Sequence, residues 1–417
     1  MLKRISKFSI KVTTFCNLNC LYCHQLSMDK DYPSLFNKFD ELEEFLLKLP
    51  FEDEVIVTIT GGEITTRPEL FLRTIKSLNN VSKKMDVKFI PAITTNGSNM
   101  IKVFEWIQKK IIKPEQVNLS WDGCESFSKI RKGKGVHYND AFFNKNIYNI
   151  GHSPYNKLIN ISYALTPYNI DKFYNDFRFV IECGCRNFSY YYIHEGDYTN
   201  KEFLKKAEIE LSKINDFIVN NLYNMGEEMY FYNHNVLYTR KYEMLKNDKI
   251  DDSKFIENIR CHKLGRSFHI DTMGDIYPCI YFGDHRSLQI GNLDDGGFYE
   301  DKLNEFMELY NAQFNCDKTC TNYQCFECPA ANYVDSGNMN HRNCKTCEMY
   351  TLENKLFDKI KSNNLHNILY MTNCSINIYN PLTNDNEFNY LPIANKKDNY
   401  KESKNIKSEH DEEVKTW

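Results

Sequence analysis

A chain of 417 residues with 42% hydrophobic and 26% charged side chains has room for two or three buried cores and is too ordinary in composition to be disordered or fibrous. Its net charge of −4 and pI near 6.3 argue against a polyanionic partner, so no nucleic acid is expected. The basic N-terminus MLKRISKFSIKVTTF lacks a continuous apolar core, and no apolar run is long enough to span a bilayer, so neither a secretory signal nor a membrane partner is expected.

Over the first 200 residues, strand-like and helix-like patterns alternate. Strands are predicted at 8–15, 55–60, 87–95, 116–121, 158–165 and 187–193. Between them, FDELEEFLLKL aligns Phe39, Leu42, Phe45, Leu46 and Leu49 on one helical stripe. RPELFLRTIKSL opens with Pro68 at a first-turn position and aligns Leu70, Phe71, Ile75 and Leu78. NIDKFYNDFRFVIE has the same helical pattern. Six strands alternating with helices predict an α/β fold with a parallel sheet, open or rolled into a partial barrel, with functional groups at the strands' C-terminal ends. Residues 201–260 read as a helical bridge, 261–350 as a small cysteine-rich domain of short loops organised by metal, and 351–417 as a further helix followed, from about Pro381, by a polar, mobile tail.

The cysteines carry the chemistry. A cytoplasmic protein keeps its thiols reduced, which makes 15 cysteines metal ligands or redox groups more readily than disulfides. Cys16, Cys20 and Cys23 stand at C-x3-C-x2-C spacing where the first strand ends, with no fourth nearby. Three thiolates suit an iron–sulfur cubane with one iron open. A zinc site completed by a residue such as His24, or a set of reactive thiols, fits the same spacing. The second strand ends in Gly61, Gly62 and Glu63: the glycines permit close approach to the backbone, and the carboxylate offers an acceptor for an amine. The third ends in Thr95, Asn96 and Gly97, and the fourth in Ser120, Asp122 and Gly123.

CNLNCLYC, GGE, TTNG and SWDG, in that order after four successive strands, resemble the motifs of the radical S-adenosylmethionine (SAM) enzymes. The resemblance covers residues 8–200 and implies a partial (β/α)6 barrel. By it, Cys16, Cys20 and Cys23 bind a [4Fe-4S] cluster whose fourth iron is chelated by S-adenosylmethionine. Gly61, Gly62 and Glu63 hold the cofactor's amine, Tyr22 packs near its adenine, and Asn96, Ser120 and Arg131 contact its ribose or carboxylate. The implied chemistry is reductive cleavage to a 5′-deoxyadenosyl radical, which abstracts hydrogen from the substrate. On the sixth strand Tyr190, Tyr192 and His194 alternate onto one face, as a cavity lining or as a packed aromatic layer.

Eight cysteines fall within 261–347. Cys261, then Gly274 and Cys279 of GDIYPC, then C-x3-C-x4-C-x2-C and CKTC resemble the SPASM extension of radical SAM enzymes. Between Cys316 and Cys325 the family's span is kept, and only the middle thiol is shifted, by one position. That resemblance implies two auxiliary [4Fe-4S] clusters. One uses Cys261, Cys279 and Cys328, and the other Cys316, Cys320, Cys325 and Cys347. Cys344 competes with Cys347, completes the first cluster, or stays free. A pair of structural zinc sites is the alternative. Cys124, Cys183, Cys185 and Cys374 read as ordinary thiols.

SPASM enzymes act on peptides or proteins, so the expected function is modification of a ribosomally synthesised peptide, by a crosslink or otherwise. The expected electron donor is a flavodoxin or ferredoxin. Only 15 residues precede Cys16, so leader recognition falls to a separate protein, to residues 351–417 or to the barrel mouth. An anaerobic sulfatase-maturing role is an alternative, but Ile280 stands where those enzymes carry an aspartate after YPC. A non-enzymatic cysteine-rich metal-binding protein is the other.

Overall fold

The computed structural model describes residues 4–23, 35–132, 138–193, 198–225, 230–231, 266–283, 285–311, 328–340 and 347–359. Strands and helices alternate as β1 (Ile5–Thr13), α1 (Phe39–Leu46), β2 (Phe51–Gly61), α2 (Pro68–Met85), β3 (Lys88–Thr95), α3 (Met100–Gln108) and β4 (Val117–Ser120). They continue as α4 (Ser126–Lys129), α5 (Asp140–Gly151), β5 (Asn160–Leu165), α6 (Phe173–Glu182) and β6 (Asn187–Tyr192). The long helix α7 (Lys201–Met225) is followed by the short strands β7 (Tyr230–Phe231), β8 (Ser267–Ile270), β9 (Asp275–Tyr277), β10 (Gly291–Asn292) and β11 (Gly297–Phe298). Helices α8 (Glu300–Asn311), α9 (Pro329–Ser336) and α10 (Cys347–Asp358) complete the described chain.

The eleven strands among the described residues belong to one sheet, ordered β11-β10-β9-β8-β1-β2-β3-β4-β5-β6-β7. From β8 through β7 every pairing is parallel, as helical crossovers require. The six expected strands all form, with ends a few residues from their predicted places. β7 was not foreseen. The segment after 261 is more regular than expected: β8 lies on the free edge of β1, with Phe8 stacked on Phe268 at 4.9 Å, and β9 to β11 extend the sheet antiparallel. The polar tail expected from about Pro381 lies outside the described residues.

Register divides the sheet into two unlike faces. Phe8, Ile10, Val57, Ile59, Ile93, Leu119, Ile161 and Phe188 share one parity and are buried in the core. Against that face α1 buries Phe39, Leu42, Phe45 and Leu46, and α2 buries Phe71 and Leu78. The opposite parity is mostly polar, with Ser9 on β1, Thr58 and Thr60 on β2, Asn118 and Ser120 on β4, Ser162 on β5, and Ser189 on β6. Asn160 Nδ2 donates to both Asn118 Oδ1 and Ser189 Oγ at 2.9 Å across that surface. Parallel sheets covered on both sides are usually apolar on both, so a polar face marks the wall of a site.

Candidate active site

The cysteine loop leaves β1 and is held by the end of β2. Gly62 N–H donates to Thr13 O and Glu63 N–H to Phe15 O, both at 2.8 Å. A Cβ on Gly61 would stand 2.4 Å from Thr13 O, and one on Gly62 2.1 Å from Phe15 O. What approaches the paired glycines in this structure is the backbone that carries Cys16, a closeness no larger residue allows.

Glu63 is buried and its carboxylate turns into the protein. Oε1 accepts from Thr65 N–H at 3.1 Å, Thr65 Oγ1 at 2.6 Å and Thr95 Oγ1 at 2.9 Å, and Oε2 accepts from Asn96 N–H at 2.6 Å. It thereby joins the ends of β2 and β3. Asn96 in turn supports the cysteine loop: its Nδ2 donates to Asn17 Oδ1 at 2.9 Å and reaches Cys16 Sγ at 3.8 Å. Leu18 N–H also donates to Cys16 Sγ, at 3.4 Å.

On the other flank, Asn19 N–H donates to Lys132 O at 2.8 Å and Leu21 N–H to Ile130 O at 2.9 Å, which sets Cys20 opposite Arg131. Cys20 and Tyr22 alternate toward a buried polar group. The Tyr22 hydroxyl donates to Asp122 Oδ2, and the Arg131 guanidinium lies 3.4 Å from the same oxygen. Asp122 Oδ1 accepts from Ala164 N–H at 2.9 Å. Arg131 is only 2% exposed, and its Nε finds no hydrogen-bond acceptor among the described residues. Burial pushes the Cys20 thiol up to about 12, the Arg131 charge pulling it back in part, and burial also raises Cys16. Burial raises Tyr22 well above its ordinary value, with Asp122 adding to the effect. Asp122 was read from sequence among the polar residues that end the fourth strand, but was given no role of its own; it lies two residues past the end of β4. Ser120 stands half-buried on the polar face, and Tyr191 of β6 is 38% exposed there.

Tyr190 and Tyr192 point the other way. Both hydroxyls donate to Glu353 Oε1 on α10, so they form a packed aromatic layer behind β6. His194 lies outside the described residues. Cys183 and Cys185 are buried and Cys124 is half-buried.

Of the second cysteine set, Cys279, Cys328 and Cys347 are described and half-buried, while Cys261, Cys316, Cys320, Cys325 and Cys344 lie outside the described residues, as does Cys374. Cys279 precedes a 3-10 turn, Ile280–Phe282, and Cys328 precedes α9. The Phe282 and Tyr333 rings meet at 6.2 Å, so these two elements pack together. Cys347 opens α10.

Among the described residues no three His, Cys, Asp or Glu side chains converge tightly enough to bind a lone metal ion. Cys16, Cys20 and Cys23 nonetheless share one loop and lie within one another's electrostatic reach. Three thiols spread over a loop, with amides donating to Cys16, fit the corners of a cubane better than the single centre of a zinc site.

A parallel α/β partial barrel with a three-cysteine loop at its C-terminal rim is thus defined by fold and site together. Residues 10–144 match the Radical SAM superfamily, and the chain carries a radical SAM domain. A probable GTP 3',8-cyclase of Methanococcus aeolicus is 33% identical over 138 residues, 31% of this chain and 42% of that protein. An uncharacterized protein of Methanocaldococcus jannaschii is 26% identical over 185 residues, 43% of this chain and 60% of that one. The chain therefore spans about half the length of these curated relatives. Among solved structures, native anSMEcpe with bound AdoMet aligns at a TM-score of 0.64 and 17% identity, covering 87% of this chain and 99% of that one. Streptococcus suis SuiB bound to precursor peptide SuiA aligns at 0.52 and 16%, covering 82% and 76%. Native anSMEcpe with AdoMet and the Cp18Cys peptide aligns at 0.63 and 17%, covering 88% of this chain and 99% of that one. At these identities the likeness is one of fold. No helix among the described residues is long and apolar enough to cross a membrane.

Proposed function

We propose that the chain is a radical SAM enzyme acting on a peptide or protein, with residues 1–200 as the radical domain, 201–260 as a bridge, 261–350 as a SPASM domain and 351–417 as a helix and tail. The observation that carries this reading is the three-thiol loop set at the C-terminal end of β1, beside a polar sheet face. Support for a peptide substrate comes from the two similar folds that hold one, anSMEcpe with the Cp18Cys peptide and SuiB with SuiA. In this reading Cys16, Cys20 and Cys23 hold a [4Fe-4S] cluster. Two auxiliary clusters fall to Cys261, Cys279 and Cys328, and to Cys316, Cys320, Cys325 and Cys347 or Cys344.

When bound, the cluster and S-adenosylmethionine supply one-electron cleavage of a sulfonium bond and a 5′-deoxyadenosyl radical that abstracts hydrogen. The chain's own residues position and enclose. Gly61 and Gly62 let the cysteine loop sit against β2, and Glu63 locks β2 to β3 beneath it. The polar wall around Ser120 and Ser162 offers hydrogen bonds to a ligand in the barrel. Electrons come from a flavodoxin or ferredoxin, and a separate protein is one source of leader recognition. The product we favour is a crosslink or other modification of a ribosomally synthesised peptide. A sulfatase-maturing role is disfavoured by Ile280, which cannot act as a base.

The test is anaerobic incubation of the reconstituted protein with S-adenosylmethionine, dithionite and peptides encoded beside its gene. Cofactor cleavage with a mass change on one peptide is the expected result. Cleavage with no change on any of them counts against the peptide assignment, and colourless protein carrying zinc counts against the radical chemistry.

A further inference from the structure

We propose that Arg131 and Asp122 are positioning residues that set the reduction potential of the cluster held by Cys16, Cys20 and Cys23, in opposite senses. This inference rests on the radical SAM reading above and adds an electrostatic role within it.

The geometry is specific. The two backbone hydrogen bonds from Asn19 and Leu21 to Lys132 and Ile130 form a short antiparallel pairing with Cys20 directly opposite Arg131. The Arg131 side chain is nearly sealed from water, and so is Asp122, at 2% and 0% exposure. A fixed charge in such a place is weakly screened, and its influence on a neighbouring thiolate is large compared with that of a surface lysine. Asp122 is further committed: one oxygen accepts from Ala164 N–H and the other from Tyr22, leaving a single 3.4 Å contact to Arg131. The pair is thus joined through one contact only. Arg131 retains a buried Nε with no acceptor among the described residues, and its Phe127 neighbour offers only a ring face at 5.1 Å.

Adding an electron to an iron–sulfur cluster adds negative charge at its thiolates. A positive group beside Cys20 stabilises the reduced form and raises the potential, and a negative group lowers it. Tyr22, the residue before Cys23, couples the loop to this pair, because its hydroxyl takes an Asp122 oxygen that Arg131 would otherwise hold more closely.

The experiment is an EPR-monitored potentiometric titration of the full-length, anaerobically reconstituted protein. The relevant cluster is identified as the one whose reduced signal changes shape when S-adenosylmethionine is added. Wild-type protein, Arg131→Met, Arg131→Lys and Asp122→Asn are compared at matched iron content. The expected result is a more negative midpoint in Arg131→Met, a less negative one in Asp122→Asn, and a near-wild-type value in Arg131→Lys. Shifts of the same sign in Arg131→Met and Asp122→Asn, or no shift with full iron, overturn the proposal. Loss of iron from Arg131→Met and Asp122→Asn also overturns it, assigning the pair to holding the loop. A wild-type protein in which no signal responds to S-adenosylmethionine refutes the underlying functional reading instead, and the inference falls with it.

Discussion

Replacing Glu353 by Gln should remove most of the pH dependence with which α10 docks on β6. Glu353 is 4% exposed and receives both the Tyr190 and Tyr192 hydroxyls on Oε1, an oxygen that glutamine keeps. Burial pushes its carboxyl from 4.5 up to about 7, with the two tyrosine hydrogen bonds pulling the other way. A carboxyl that holds its proton more tightly when folded gives stability that is fully present below about 4.5 and is lost as pH rises through about 7. At 1.36 kcal/mol per pH unit, the difference is about 3 kcal/mol, or about a hundredfold in an opening equilibrium. Asp176 and Asp271 are also raised to about 6 by burial, so the comparison with the variant isolates the Glu353 share. Hydrogen exchange at the α10 amides, corrected for the intrinsic rate at each pH, reads it directly. Wild-type protection should fall about a hundredfold between pH 4.5 and pH 8 relative to Glu353→Gln. Parallel pH profiles for the two proteins would refute the reasoning.

Three further outcomes follow from the site. On the three-cluster reading proposed above, Cys20→Ala should remove about four of roughly twelve irons per reconstituted chain and abolish S-adenosylmethionine cleavage, measured by iron assay and chromatography. Gly62→Ala forces a Cβ to within 2.1 Å of Phe15 O, so the cysteine loop must move; about 1–3 kcal/mol of stability and most of the cleavage activity should be lost, read by denaturant unfolding and turnover. Glu63→Ala leaves the Asn96 N–H and the Thr65 and Thr95 groups without their acceptor, and should cost about 1–3 kcal/mol or more even in protein without iron; no change there would place the role of Glu63 wholly on the ligand.

The strands and the cysteine loop were legible because short β-branched segments with apolar residues at alternate positions recur between helical patterns, and because C-x3-C-x2-C depends on spacing alone. Direction was harder. Tyr190 and Tyr192 alternate correctly, but a tyrosine suits either face of a sheet, and only the register that carries Phe188 into the core places them behind the barrel. Glu63 reads from sequence as a ligand for an amine; that it also joins β2 to β3 was hidden, because its donors come from a loop two residues on and from a strand 32 residues away. Asp122 was named at the end of the fourth strand but given no role, because its partners Tyr22 and Ala164 are distant in sequence. The strands after residue 266 escaped notice because segments of two to four residues carry almost no periodic signal.

The pairing of β1 with β8 has a consequence for how the protein is made. β1 lies between β2, some fifty residues away, and β8, some 260 residues away. Its second edge stays open until residues 267–270 have been synthesised, long after the cysteine loop has left the ribosome. The strand that carries Cys16 is therefore completed late, by a contact of high sequence separation that folds slowly. Delivery of iron and sulfide to a finished rim should follow release of the C-terminal half of the chain. Fragments ending near residue 200 would present the three thiols on a strand with an exposed edge, which is prone to aggregate.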